Sequence, residues 1–202
     1  MTYLVGITGG IGGGKSTISR YLAEAGAEII DTDAIARELT QPGSEALSEI
    51  RDVFGDSVFL PGGVLDRKAV AAIVFNDKEK LSRLNAILHP RIRKRWLEDA
   101  ARSDAPFVFV VVPLLFENNL AGQFDEVWTV TADEEERIRR VTGRDRTDKE
   151  SVLGRMRNQL PEEEKVAKAD VVIDTTSGLE AARATAIAAL TELKRRLGLE
   201  KA

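Results

Sequence analysis

The sequence predicts an α/β fold, a parallel sheet covered on both faces by helices. Three observations carry that prediction. Phe107-Val108-Phe109-Val110-Val111-Val112 is a continuous aromatic and β-branched run, the pattern of a strand buried on both sides. Tyr3 to Thr8, Glu28 to Asp31, Glu126 to Thr131 and Asp170 to Ile173 are shorter runs of similar character. Helical periodicities separate these runs, as an alternating βα chain requires.

Taken in order, Tyr3 to Thr8 (YLVGIT) runs into a glycine cluster. Ile18, Tyr21, Leu22 and Ala25 then recur at helical spacing until Gly26 stops the helix. Glu28 to Asp31 reads as a second buried strand. Residues 32–106 hold no strand pattern. Within them Ser44 to Phe54, Arg67 to Phe75 and Lys78 to Arg102 read as helices, the last with Leu81, Leu84, Ile87 and Leu88 on one apolar face. A plain crossover needs one helix, so a helical insertion beside the sheet is expected. The final helix, Leu179 to Leu197, is alanine-rich. Its closing Lys194-Arg195-Arg196 complements the helix dipole and reads as a solvated end.

Composition narrows the function classes. At 202 residues one domain with an insertion is expected, and 43% hydrophobic residues can build its core. With 29 Lys and Arg against 33 Asp and Glu the net charge is −4, which disfavours a nucleic-acid binder. No cysteine excludes disulfides and thiol nucleophiles, and the single histidine, His89, cannot build a multi-histidine metal centre. MTYLVGITGG lacks the charged start of a signal peptide. Ala105 to Phe116, the longest apolar stretch, contains two prolines and falls short of the roughly 20 residues of a membrane span. A soluble, cytoplasmic protein is expected, with no membrane or nucleic-acid partner and no obligate protein partner. Charge is uneven, however. Arg137 to Arg157 holds eight Lys and Arg against three Asp and Glu, a local +5. Arg91, Arg93, Lys94 and Arg95 form a second basic cluster after His89-Pro90.

Gly9-Gly10-Ile11-Gly12-Gly13-Gly14-Lys15-Ser16 fits G-x-x-x-x-G-K-[ST], and Thr17 extends it. Glycines allow a concave nest of backbone N–H groups around phosphate oxygens, and the helix starting near Lys15 adds its positive end. Lys15 suits the β- and γ-phosphates and the Ser16 hydroxyl suits Mg²⁺. Gly10, Ile11, Gly12, Gly13, Gly14, Lys15, Ser16 and Thr17 are the expected nucleotide-binding set. The motif follows a strand and opens a helix, as its mechanism demands. A guanine-nucleotide switch would need N-K-x-D, which is absent; Asp52-Val53-Phe54-Gly55 fits D-x-x-G but inside a helical pattern. No Walker B acid ends the strand at 107–112. Asp31 and Asp33 instead follow the second strand, and if the chain stays extended they point the same way. They suit either a general base or Mg²⁺ ligation. The alternative is that Asp33 caps the next helix, with Arg37 pairing at i+4. Arg137, Arg140 and Arg144 fall at i, i+3 and i+7, so one helix face can present all three. Trp96 and Trp128 read as packing residues.

These residues resemble the dephospho-coenzyme A kinase family over almost the whole chain. GITGGIGGGKST is similar to its phosphate loop, with Gly13 where serine is common. Asp31-Thr32-Asp33-Ala34-Ile35-Ala36-Arg37 resembles its D-x-D-x-I-A-R signature, Leu88-His89-Pro90 its L-H-P element, and Pro113 to Glu117 its P-L-L-F-E turn. Arg140, Arg144-Asp145 and Arg155 to Gln159 (RMRNQ) resemble its arginine-bearing lid, and Asp174 stands where asparagine is frequent. The resemblance implies a P-loop nucleotide-kinase-like three-layer fold with a five-stranded parallel sheet. It implies a core of about 1–39, 105–139 and 169–202, an acceptor-binding helical region of about 40–104 and a lid of about 140–168. The implied activity is phosphoryl transfer from ATP, with Mg²⁺, to the ribose 3′-hydroxyl of dephospho-CoA. Lys15, Asp33 and Arg140 would be catalytic. Arg144 would join the nucleotide set, Asp31, Asp33, Arg37, His89, Leu114 and Arg140 would meet the acceptor, and Ser16 the metal. Between Leu114 and Leu115, at least one is expected to belong to the core. His89 either contacts the acceptor or hydrogen-bonds at a helix break before Pro90.

Overall fold

A computed structural model describes residues 2–200. Its sheet has the strand order β2-β3-β1-β4-β5, with β1 (Tyr3–Thr8), β2 (Glu28–Asp31), β3 (Phe107–Val111), β4 (Glu126–Thr131) and β5 (Val171–Asp174). β1 pairs in parallel with β3 (Val5 opposite Phe109) and with β4 (Val5 opposite Glu126), and β4 pairs in parallel with β5. β3 is buried throughout, which its unbroken apolar run required. β2 and β5 are edge strands, so the second strand is not buried as its sequence suggested: only Ile30 is shielded.

Alternation sorts the strands into two faces. Val5, Ile7, Phe107, Phe109, Trp128, Val130 and Ile173 share one face with Ile18 and Leu22 of α1 (Lys15–Glu24). The C-terminal helix, Leu179–Arg196, adds Ala182, Ala186, Leu190 and Leu193 to that core. Phe109 and Trp128 meet edge to face at 4.9 Å. The Trp128 indole donates to Glu126 (2.8 Å), whose other oxygen binds Arg196 at 2.6 Å. The basic end of the last helix is therefore not merely solvated, because Arg196 neutralises a buried glutamate.

The chain divides into two compact units, one comprising residues up to Ile30 and from Ser103 onward, the other Asp31–Arg102. The second unit is helical, as expected: α2 (Thr32–Glu38), α3 (Glu45–Phe54), α4 (Arg67–Asn76) and α5 (Lys78–Arg102). Ser44 caps α3 and Asp66 caps α4 through backbone amides. Leu47, Ile50, Phe54, Val70 and Ile87 form its core, and Trp96 is buried, as is Trp128 in the sheet unit. α5 does not break at Pro90. Proline removes one helical N–H and crowds the preceding turn, yet Arg91 donates to the Ile87 carbonyl (2.7 Å) and reaches Glu49 on α3 at 2.6 Å, tying the helix down across that turn.

The sheet unit carries the remaining helices, α6 (Glu134–Asp145), α7 (Lys149–Arg157), α8 (Glu162–Lys168) and α9, the C-terminal helix above. α8 lies over β4 on the face opposite α1, where the Thr129 hydroxyl meets the Lys165 carbonyl (3.4 Å).

Candidate active site

The loop from Gly9 to Gly14 links β1 to α1 and is pressed against β4. A Cβ at Gly9, whose φ is +142°, would lie 2.0 Å from the Val130 carbonyl oxygen; one at Gly13 would lie 2.7 Å from the same atom. The absence of a side chain at Gly13 therefore lets the loop lie on the β4 backbone. Gly14, in the left-handed region, starts α1. The Gly13 amide closes a turn onto Gly10 (3.1 Å) and the Ile11 amide donates to Gln159 (2.9 Å). Among the described residues, the amides of Gly12, Gly14 and Ser16 donate to nothing, and they stand at the positive end of α1. Unsatisfied amides at such a helix start form an anion site. Lys15 Nζ crosses the loop and donates to the carbonyls of Gly9 (2.6 Å) and Gly10 (3.0 Å).

The underside of the loop is clamped by α6 and by the turn after β5. Arg137 donates Nε to the Ile11 carbonyl (3.0 Å), and its Nη1 lies 2.9 Å from Glu162 Oε2 at the start of α8. Both side chains are nearly buried, and the Glu162 oxygens face the guanidinium as a charge contact rather than an aligned hydrogen bond. Arg140 donates Nη1 to the Gly12 carbonyl (3.3 Å) and the Thr175 hydroxyl (2.7 Å), Nη2 to the Thr175 carbonyl (2.9 Å) and Nε to Glu136 (2.8 Å). The Thr175 hydroxyl lies 3.0 Å from the Gly13 carbonyl and 3.1 Å from that of Thr131, donating to one at a time. Hydrogen bonds from Arg139, then from Arg140, pull the Glu136 carboxyl down to a pKa of about 2.

The three arginines expected on one face therefore separate in role. Arg137 is buried under the loop and Arg140 borders it. Arg144 lies in an exposed triad, donating to Asp145 (2.7 Å), which Arg155 also binds at 2.6 Å. Those two arginines, Arg144 first, lower the Asp145 pKa to about 2. Gln159 falls within the RMRNQ segment. Thr175 and Glu162 carried no sequence signal, because each acts only through contacts far along the chain. Asp174 accepts from the Thr176 amide (2.8 Å), a turn role open to asparagine as well. Leu115 is fully buried and Leu114 is 38% exposed in the turn after β3, which divides the pair as expected.

In the helical unit the chain does not stay extended after Asp31. Thr32 already begins α2, and the Asp31 carboxylate caps it, accepting from the amides of Asp33 (2.8 Å) and Ala34 (3.3 Å). Strand alternation thus does not align the two aspartates, and the cap is Asp31 rather than Asp33. Asp33 sits exposed in the first turn. Arg37 Nε donates to the Asp33 backbone carbonyl (3.2 Å). His89 lies within α5, and desolvation pushes its pKa below the ordinary histidine value.

Comparison with known proteins agrees with this geometry. The family profile described as dephospho-CoA kinase matches residues 3–181. A dephospho-CoA kinase of Thermobifida fusca is 46% identical over 194 residues, covering 96% of this chain and 97% of its own. A crystal structure of a Thermus thermophilus protein superposes with a TM-score of 0.85 at 38% identity, over 95% of this chain and 97% of the other. The dephospho-CoA kinase from Campylobacter jejuni gives 0.71 at 28% identity, over 96% and 98%. The sheet order, the phosphate loop and these likenesses along almost its full length lead to one assignment: the chain belongs to the dephospho-CoA kinase family.

Proposed function

We infer that the protein transfers the γ-phosphoryl group of ATP to the ribose 3′-hydroxyl of dephospho-CoA, giving CoA and ADP in the final step of CoA synthesis. The observation that carries the reading is the phosphate loop, with the open amides of Gly12, Gly14 and Ser16 beside Lys15 and Arg140 at its rim. Phosphoryl transfer asks a protein mainly to position and neutralise phosphates, and this loop is built for that. Gly10 to Thr17 hold the α- and β-phosphates, Lys15 supplies positive charge to the β- and γ-phosphates, and Arg140 stabilises charge on the transferring oxygens. Arg144 serves the nucleotide once its triad with Asp145 opens.

Mg²⁺ fits this site. The Ser16 hydroxyl is exposed in the first turn of α1 and bonds to no described residue. Among the described residues no group of three or more His, Cys, Asp or Glu could cage a metal, so the ion arrives with the nucleotide, as Mg²⁺ commonly does. When bound it neutralises the β- and γ-phosphate oxygens. Asp33 accepts the 3′-hydroxyl proton. Asp31 is the weaker candidate because its carboxylate is committed to capping α2. Arg37, His89 and Leu114 contact the acceptor, residues 40–104 form its region, and residues 140–168 act as a lid that excludes water during transfer. No helix among the described residues is long and apolar enough to cross a membrane, and the substrates are small molecules.

The test is turnover. ADP should form in step with added dephospho-CoA, with Mg²⁺ required. ATP binding without acceptor-stimulated ADP formation would reject the reading.

A further inference from the structure

Arg67, which the sequence did not single out, shares an unusual property with Arg37. Most arginines of the described residues lie in ion pairs, among them Arg51, Arg91, Arg95, Arg137, Arg140 and Arg155. Neither Arg37 nor Arg67 has a carboxylate partner at ion-pair distance among the described residues. Both are nevertheless held in place. Arg37 is fixed by its bond to the Asp33 carbonyl. Arg67, the first residue of α4, donates Nη2 to the hydroxyl of Thr40, which is 4% exposed and itself donates to the Ala36 carbonyl (2.7 Å) at the end of α2. Arg67 is exposed overall, but desolvation of its guanidinium where it meets Thr40, then the nearby charge of Arg37, lower its pKa below the ordinary value, with Asp33 opposing. The Thr40 hydroxyl that holds Arg67 also lies 3.3 Å from the Arg37 carbonyl, so the two arginines stand around one hydroxyl, within electrostatic reach of each other and of Asp33. Gathering like charges without a partner costs energy, and a bound anion removes that cost.

We propose that Arg37 and Arg67, the latter positioned by Thr40, bind the diphosphate of the acceptor. The proposal rests on reading the surroundings of Asp33 as the acceptor site. Its chemistry is that of two guanidinium forks on a doubly charged diphosphate. Its spacing also fits. Arg37 follows Asp33 by one helical turn, about 6 Å along α2, and the 5′-phosphate of a nucleotide lies only a few bonds from its ribose 3′-hydroxyl. An acceptor with its 3′-hydroxyl at Asp33 would bring its diphosphate toward this pair. The pair would select a nucleoside diphosphate ester over a bare nucleoside.

Titration calorimetry with dephospho-CoA in the absence of ATP tests this directly, alongside steady-state kinetics and a thermal melt. Arg37→Ala and Arg67→Ala should each raise the dephospho-CoA dissociation constant and its KM about 10–100-fold, the usual weight of charged hydrogen bonds. The KM for ATP should move by no more than about twofold, a split that a general loss of structure would not give. Arg67→Lys should recover part of the affinity, and Thr40→Val should cause a smaller loss because it only frees the guanidinium. Unchanged dephospho-CoA binding in both folded alanine variants, in an enzyme that phosphorylates dephospho-CoA, would overturn the pair alone. A wild-type protein that does not phosphorylate dephospho-CoA would overturn the proposed function, and this ligand assignment with it.

Discussion

Arg140 holds the Gly12 carbonyl, both oxygens of Thr175 and the Glu136 carboxylate at once, so its removal should act on the loop as well as on the reaction. Loss of one transition-state donor typically lowers kcat about 10²–10³-fold. Arg140→Ala should show a fall of that order, with a severalfold rise in KM for ATP as the loop loses an anchor. Arg140→Lys should recover only part, because an ammonium cannot span Gly12 and Thr175 as a fork does. A lower melting temperature with normal kcat would leave Arg140 a purely structural residue. The two aspartates make a sharper contrast. Asp33→Asn should lose kcat by about 10²–10⁴-fold, with ATP affinity near that of the parent. Asparagine caps helices about as well as aspartate, so Asp31→Asn should remain stable and active, whereas Asp31→Ala should cost about 1 kcal/mol of stability. A crippled Asp31→Asn beside an active Asp33→Asn would reverse the assignment.

Among the elements, α8 is fixed by a fully buried lysine. Lys165 Nζ lies 2.8 Å from Glu117 Oε1, at ion-pair distance though poorly aligned for a hydrogen bond, and Glu117 also accepts from the Leu160 amide (2.9 Å). Removing one partner of a buried pair typically costs about 3–5 kcal/mol, while replacing both can be nearly neutral. Lys165→Met and Glu117→Gln should therefore each destabilise strongly, and the double variant should be more stable than their sum predicts. Additive losses in chemical denaturation would show that the two charges do not depend on each other. Nothing in the local sequence marks this pair, because its members lie far apart in the chain. The same reason hid Arg67 with Thr40 and Arg196 with Glu126. What lay in contiguous residues was legible: the all-apolar β3, the phosphate loop and the capped α3. The helix over Lys78 to Arg102 was legible too, and it runs unbroken through Pro90. Where two local rules competed, the sequence left the outcome open: Asp31-Thr32-Asp33 fits an extended strand end or a helix cap, and capping by Asp31 won.

For the whole molecule, the perturbed carboxyls set how stability should respond to acid. Arginine hydrogen bonds hold Glu136 and Asp145 at about 2. Burial alone would raise the Glu117 pKa, but Lys165 and the Leu160 amide outweigh it and leave the value below that of an ordinary glutamate. In each case the folded pKa lies below the unfolded one, near 4, so the folded state binds fewer protons. The stabilisation is then fully present above about pH 5 and is lost as pH falls toward 2. His89, exposed on α5 but partly desolvated there, acts weakly in the same direction from about pH 6.5 downward, where the unfolded chain takes up a proton more readily. Glu136 and Asp145 lie near the surface, so solvent and salt screen their contribution and each slope should be shallow. Glu117 is less exposed, and its pairing should resist salt better. Melting temperature should change little from pH 8 to 7, begin a slight decline toward 5, and fall clearly from about 4.5 to 2.5. Added salt should flatten only part of that fall. Lys165→Met removes the partner that keeps Glu117 ionised, so in that variant, which starts less stable, the acid-dependent portion should shrink. A melting temperature that rises between pH 5 and 3 would contradict the depressed carboxyls, and an acid profile of Lys165→Met parallel to the parent's would show that the buried pair contributes nothing to it.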